Sequence, residues 1–399
     1  MKAKFCEAFS EDFCMSVKSA GKKVLMGLNE AGYEAYFVGG MVRDALLGCD
    51  VYDADIATDA APEVVLGLFD KTFATGLRHG TVTVVMDDQN IEVTTFRLDG
   101  EYLDNRHPEE VVFTRSLSED LARRDFTINA MAQELTGMII DPFNGRADLE
   151  GGIIRAVGEP RERFKEDALR ILRGIRFVAK LGFDIEEETL KAMSECRYLL
   201  ENLSFERIRK EFEGILSSVE FGRKALNFII KNNIFEYIPF FSVLVKFKNL
   251  DRVKHIATLF DVIAFELQDS CVFLSEFPFT KKERKTIQVL LEIRDEVLDE
   301  RLILYRFGET VLHQRYLLRC FYQNEDFEYK IPTMVINRRA DLAICPKEII
   351  QLAKKSPGPW VGELFAEIEE MIVLEKMENT RESILKLVEK RGIFHVEED

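Results

Sequence analysis

Tyr36-Phe-Val-Gly39-Gly40-Met-Val-Arg43-Asp44-Ala-Leu-Leu-Gly48, followed after four residues by Asp53-Ala-Asp55-Ile-Ala-Thr58, is the stretch from which the N-terminal half can be read. If residues 52–58 are extended, Asp53 and Asp55 project from the same face of a sheet, because side chains alternate along a strand. Two carboxylates so close repel unless a divalent cation sits between them, and an all-oxygen donor set favours Mg²⁺. The glycine pair before Met-Val-Arg-Asp lets the backbone approach a phosphate where amide N–H groups point outward from a helix start. An Asp-x-Asp pair alone is commonly a solvated turn, and a glycine pair alone is commonly just a turn. Their combination describes a device for holding a nucleoside triphosphate against metal ions.

A third acid extends the pattern. Thr81–Met86 and Ile91–Arg97 are β-branched runs flanking the turn-like Asp87-Asp88-Gln89-Asn90, which predicts a hairpin. Glu92 alternates with Ile91 and Val93, so it faces away from those apolar side chains. An exposed strand acid is the bland account of it; beside the aspartate pair it is read as a base or auxiliary ligand.

Working outward, the chain of 399 residues exceeds what one core normally serves, so at least two domains are expected. Fifteen of its 23 glycines fall in residues 1–160, where β-rich runs alternate with helical patterns. No proline lies between Pro160 and Pro239, and apolar residues there recur with helical spacing. An α/β domain followed by a long all-helical portion results. Within the latter, Glu162–Leu181 reads as one continuous helix stopped by Gly182, and Ser204–Leu216 as a second opened by a Ser-x-x-Arg cap. Pro278, Pro332 and the Ser356-Pro-Gly-Pro359 cluster mark later breaks.

Hydrophobic residues make up 47% of the chain, yet no uninterrupted apolar run spans a membrane; residues 228–247 are broken by Lys231, Glu236, Pro239 and Lys246. Glu7, Glu11 and Asp12 are incompatible with a secretory signal. Seven cysteines without a Cys-x-x-Cys pair predict free thiols and a cytoplasmic protein. The net charge of −16 argues against non-specific nucleic-acid binding while leaving room for a locally basic surface. Five scattered histidines form no His-Asp metal motif, so no phosphohydrolase domain is expected.

The chain resembles the class II tRNA nucleotidyltransferases, the CCA-adding enzymes grouped with bacterial poly(A) polymerases. Five segments carry the resemblance: the opening stretch; Arg123-Arg124-Asp125-Phe-Thr-Ile-Asn129-Ala; Asp141-Pro-Phe-Asn-Gly145 through Asp148-Leu; Glu166-Asp167-Ala-Leu-Arg170-Ile-Leu-Arg173; and Ser204-Phe-Glu-Arg-Ile. Gly358-Pro-Trp-Val-Gly362 is similar to a tail segment of the family. The resemblance implies a polymerase-beta-like nucleotidyltransferase head of α/β class over residues 1–149. All-α neck (150–215), body (216–300) and tail (301–399) would follow. It implies Asp53 and Asp55 as metal-holding catalytic residues, Glu92 as the third carboxylate, and Gly40, Arg43 and Arg124 at the nucleotide. The expected partners are CTP, ATP and the acceptor arm and T-loop of tRNA, with Mg²⁺ as cofactor.

Residue chemistry adds a selection device. On an unbroken helix Asp167 and Arg170 are neighbours on a ridge continued by Arg173 and Arg176. A carboxylate accepts from the exocyclic amine of cytosine or adenine while a guanidinium donates to the adjacent ring nitrogen. Uracil and guanine present the reverse polarity and would leave buried groups unpaired at about 1–3 kcal/mol each. Ordinary ion pairing on a solvated helix is the alternative. The expected product is CCA at the tRNA 3′ end; A-only addition, poly(A) synthesis and a catalytically silent RNA-binding protein are the rivals. The segment Asp99-Gly-Glu-Tyr-Leu-Asp104-Asn-Arg106-His107 resembles the flexible loop of enzymes that proceed to A. Lys246, Lys248, Arg252 and Lys254, then Lys281, Lys282, Arg284 and Lys285, then Arg338 and Arg339 are candidate tRNA contacts.

Overall fold

The computed structural model describes residues 11–99, 111–218, 220–253 and 255–393. The expected flexible loop therefore lies, beyond Asp99, outside the described residues. The chain divides into two compact units, residues 1–254 and 255–399.

The first unit opens with helix α1, Glu11–Glu30, whose Val17, Ala20, Val24, Leu25 and Leu28 are buried at helical spacing. Seven strands form the main sheet: β1 (Ala35–Val38), β2 (Ala54–Thr58), β3 (Thr72–Gly76), β4 (Thr81–Met86), β5 (Gln89–Thr95) and, after a two-stranded ribbon, β8 (Ala132–Gln133) and β9 (Ile139–Ile140). Their order is β3-β4-β5-β2-β1-β8-β9. The ribbon pairs β6, Arg97–Asp99, with β7, Val111–Phe113. Helix α1 packs on β1, β2, β4 and β5, and Gly21 sits against the Phe37 ring, where a Cβ would lie 2.9 Å from Cε1. The opposite face carries the smaller cluster of Val38, Ala57, Phe96, Leu121 and Ala132.

The expected hairpin is present with a tighter turn. Strand β5 begins at Gln89, and Asp87 and Asp88 alone make the connection, both left-handed with φ of 51° and 59°. Such a two-residue turn matches the twist of antiparallel strands, and aspartate tolerates it.

Short helices connect the strands: α2 (Gly40–Leu46), α3 (Pro62–Leu68), α4 (Leu117–Ala122) and α5 (Gly145–Gly151). The helical continuation comprises α6 (Pro160–Glu166), α7 (Leu169–Leu181), α8 (Glu187–Cys196), α9 (Phe205–Leu216) and α10 (Gly222–Lys231). The continuous helix expected over 162–181 is not formed. Asp167 is extended, with φ of −144° and ψ of 102°, and its carboxylate accepts from the Leu169 N–H at 3.0 Å. An aspartate that bonds its own backbone two residues on offers the chain an alternative to the helix. Ser204 does precede α9, but its hydroxyl makes no cap bond.

The second unit is all-helical: α11 (Ile256–Glu266), α12 (Ser270–Glu276), α13 (Lys281–Glu292), α14 (Glu300–Phe307), α15 (Glu309–Gln323), α16 (Pro346–Ala353), α17 (Pro359–Val373) and α18 (Arg381–Lys390). One core joins Ile349, Phe365, Ile368, Ile372, Ile384 and Val388. Another packs the rings of Phe260, Phe273, Phe277 and Phe279 at centroid distances of 4.8–6.4 Å. No helix among the described residues is long and apolar enough to cross a membrane. Cys49, Cys196, Cys271, Cys320 and Cys345 form no disulfides.

One glycine locks α5 to the site-bearing layer. A Cβ on Gly145 would overlap the Thr127 carbonyl and reach Met131 at 3.1 Å. Backbone cannot yield as a flexible side chain does, so Gly145→Ala should destabilise the first unit by about 2–4 kcal/mol in denaturant unfolding. An unchanged midpoint would contradict this packing.

Candidate active site

Strand β2 runs parallel to β5 and pairs Asp55 with Glu92 in register. Register partners in adjacent strands project to the same face, so these two acids stand side by side. Asp53, two residues earlier and exposed, completes the group. Burial, then Glu92, then Asp53 push the Asp55 carboxyl up to about 6, with Arg124 and Arg43 acting against them. The structure thus brings Asp53, Asp55 and Glu92 into one electrostatic neighbourhood.

Glycine geometry shapes the rim. Gly39 has φ of 67° and ψ of −134°, a conformation that residues with a Cβ rarely adopt. A Cβ there would sit 3.2 Å from Arg124 Nη1 and 3.6 Å from Asp55 Oδ2. Arg124 is held by Asp120, which accepts from its Nη2 at 2.9 Å and from Arg123 Nη2 at 2.8 Å. Asp120 is buried, which alone would raise its pKa, but the two guanidinium groups hold it below the ordinary value. Its spacing of three and four residues from the arginines was the available signal for this residue.

The predicted ridge of arginines is distributed among protein partners. Arg170 is buried and donates from Nη1 to Glu166 Oε2 at 2.7 Å and from Nη2 to the Arg123 carbonyl at 3.0 Å. Arg173 pairs with Asp125 at 2.6 Å, and Arg176 with Glu211 at 3.1 Å. Asp167 accepts from Arg207 Nη2 at 2.7 Å rather than from Arg170. The expected adjacency of Asp167 and Arg170 on one helical ridge therefore fails: the break between α6 and α7 puts Asp167 outside both helices. Arg43 is buried, and each of its guanidinium nitrogens has a protein partner: Nε and Nη2 on Asp44, Nη1 on Asn129. Gly40 lies at the first turn of α2, where a Cβ would meet Arg43 Nη2 at 3.4 Å.

The acids fit a cation bound in part by a ligand. Among the described residues no group of three or more His, Cys, Asp or Glu side chains is arranged to hold a metal ion. An ion at Asp53 and Asp55 would complete its oxygen shell with phosphate and water, as small hard cations commonly do. Burial is the largest cause of the raised Asp55 carboxyl, and a cation there would offset only the part contributed by Glu92 and Asp53.

The Poly A polymerase head domain family matches residues 35–155, and the tRNA nucleotidyltransferase domain 2 family matches residues 247–388. The CCA-adding enzyme of Enterococcus faecalis is 41% identical over 388 residues, covering 92% of this chain and 95% of its own. That of Bacillus subtilis is 38% identical, covering 90% and 95%. The chain belongs to the CCA-adding enzyme family. The crystal structure of the Bacillus stearothermophilus CCA-adding enzyme in complex with CTP superposes with a TM-score of 0.78 at 31% identity, covering 96% of this chain and 98% of that one. This family is one of tRNA nucleotidyltransferases, and membership implies dependence on a divalent metal.

Replacing Asp55 by asparagine tests the crowding. Because the folded-state pKa lies above the ordinary 3.8, the charge penalises the fold increasingly as pH rises through that interval, and fully above about 6. Asp55→Asn at pH 7.5 should raise Tm, measured without divalent cations, by roughly 2–4 °C, while activity assayed with Mg²⁺ is lost. A lowered Tm would contradict the repulsion.

Proposed function

We propose that this protein adds C, C and A to the 3′ end of tRNA from CTP and ATP, without a nucleic-acid template. The observation that carries the reading is the in-register pairing of Asp55 with Glu92, beside Asp53 and below the Gly39–Gly40 turn. Asp53 and Asp55 would hold Mg²⁺, with Glu92 as the auxiliary carboxylate. Bound there, two such ions supply activation of the RNA 3′-hydroxyl and neutralisation of the departing pyrophosphate. Gly40 lets the backbone approach the triphosphate, and Arg124, fixed by Asp120, presents its guanidinium to the phosphates or sugar. In this reading residues 1–149 form the catalytic head and 150–215 the neck; 216–300 and 301–399 hold the tRNA acceptor arm and T-loop. A cytoplasmic location accords with that substrate.

Base selection rests on Asp167, within the α6–α7 break, and Arg170, in the first turn of α7. A cytosine or adenine edge would take the Asp167 carboxylate from Arg207 and the Arg170 guanidinium from Glu166, exchanging one set of charged hydrogen bonds for another. Arg176, paired with Glu211, lines the same helix.

Asp53→Ala should abolish nucleotide incorporation into tRNA lacking CCA while leaving tRNA binding in a filter assay largely intact; retained turnover would refute the metal role. Arg170→Ala should narrow the preference for CTP and ATP over UTP and GTP by about tenfold or more. An unchanged preference would remove the pair from base selection. Supplying tRNA ending at the discriminator base, then tRNA ending in CC, distinguishes full CCA addition from A-only addition.

A further inference from the structure

Arg43 joins a closed ring of side chains that begins and ends on α7. Lys180 Nζ donates to Asp44 Oδ2 at 3.0 Å, and Arg43 holds Asp44 with Nε at 2.8 Å and Nη2 at 2.9 Å. Arg43 Nη1 donates to Asn129 Oδ1 at 2.5 Å, and Asn129 Nδ2 donates to Asp125 Oδ1 at 3.0 Å. Asp125 returns the chain to α7 through Arg173 Nε at 2.8 Å. Inside the ring lies Phe177, with the Arg43 guanidinium 5.2 Å over its face and the Phe126 ring edge-on at 5.7 Å. Arg173, Phe177 and Lys180 are four and three residues apart, so one stripe of α7 makes all three contacts.

The ring touches the glycine turn through Arg43 and the base-reading end of α7 through Arg173, one turn from Arg170. Arg43, Asn129 and Asp125 are buried, and a slip at this centre of the ring would leave charged or polar groups unpaired in low dielectric, while the Lys180 end is exposed. A guanidinium suits this position because its planar fork serves Asp44 and Asn129 at once, which an ammonium does not.

We propose that the ring Lys180–Asp44–Arg43–Asn129–Asp125–Arg173, closed around Phe177, is a brace that sets the register of the nucleotide-selecting helix against the phosphate-holding turn. Arg43 is then a positioning residue for specificity, not a nucleotide ligand. This rests on the CCA-adding reading above, which supplies the selection being positioned.

The test uses full-length protein, tRNA lacking CCA, and each of the four nucleotides, with kcat and KM measured separately and folding followed by Tm. Lys180→Glu, at an exposed position, repels Asp44 without disturbing the core; Asn129→Ala opens the ring at its buried centre. Both should lower discrimination of CTP and ATP against UTP and GTP by about three- to tenfold, and the double variant should lose little more than either alone. Arg43→Lys should behave likewise. Folded Lys180→Glu and Asn129→Ala proteins with undiminished discrimination would overturn the brace. So would an Arg43→Lys variant whose KM rises equally for every nucleotide with discrimination intact, since that marks a phosphate ligand. Wild-type protein that incorporates neither CTP nor ATP would instead overturn the functional reading, and the brace with it.

Discussion

Parallel pairing of β2 with β5 is the constraint on which the first unit turns. It places Asp55 beside Glu92 in register, two residues beyond Asp53, and leaves their charges poorly compensated. A chain selected only for stability would not keep such a group. Burial against α1 on the far face holds these strands in place while the acids face outward, so the apolar core offsets the repulsion the site retains. In the proposed reading a bound cation would relieve that repulsion.

The arginines follow the opposite logic. In a chain of net charge −16, positive charge is concentrated around α6 and α7, and nearly every guanidinium there already has a carboxylate. Such pairing keeps a basic site folded within an acidic protein and limits its attraction for nucleic acid in general. Under the proposed function, a nucleotide bound there would exchange places with existing protein partners. Asp167 with Arg207 and Arg170 with Glu166 are the pairs whose exchange the proposed selection requires.

Much of this was legible in the residues. Alternation placed Asp53 and Asp55 on one face and Glu92 away from its apolar neighbours, β-branched runs announced β4 and β5, and glycine and proline usage divided the α/β layer from the helices. The break at Asp167 was not legible. Apolar spacing continues across it, and what interrupts the helix is a side chain bonding its own backbone while a distant arginine from α9 holds it there. Arg43 shows the same limit: its bond to Asn129 and its place over Phe177 join distant parts of the chain that no local pattern announces. Helix α1 carried no chemical signal in the sequence, because its work is to cover the sheet.

The most direct test is crystallographic: the protein soaked with Mn²⁺ and a non-hydrolysable CTP analogue, with anomalous scattering collected at the manganese edge. The predicted result is a peak within about 2.2 Å of carboxylate oxygens of both Asp53 and Asp55 and in contact with the triphosphate. An analogue bound with its phosphates and metal remote from those two aspartates would contradict the metal-holding role of the pair.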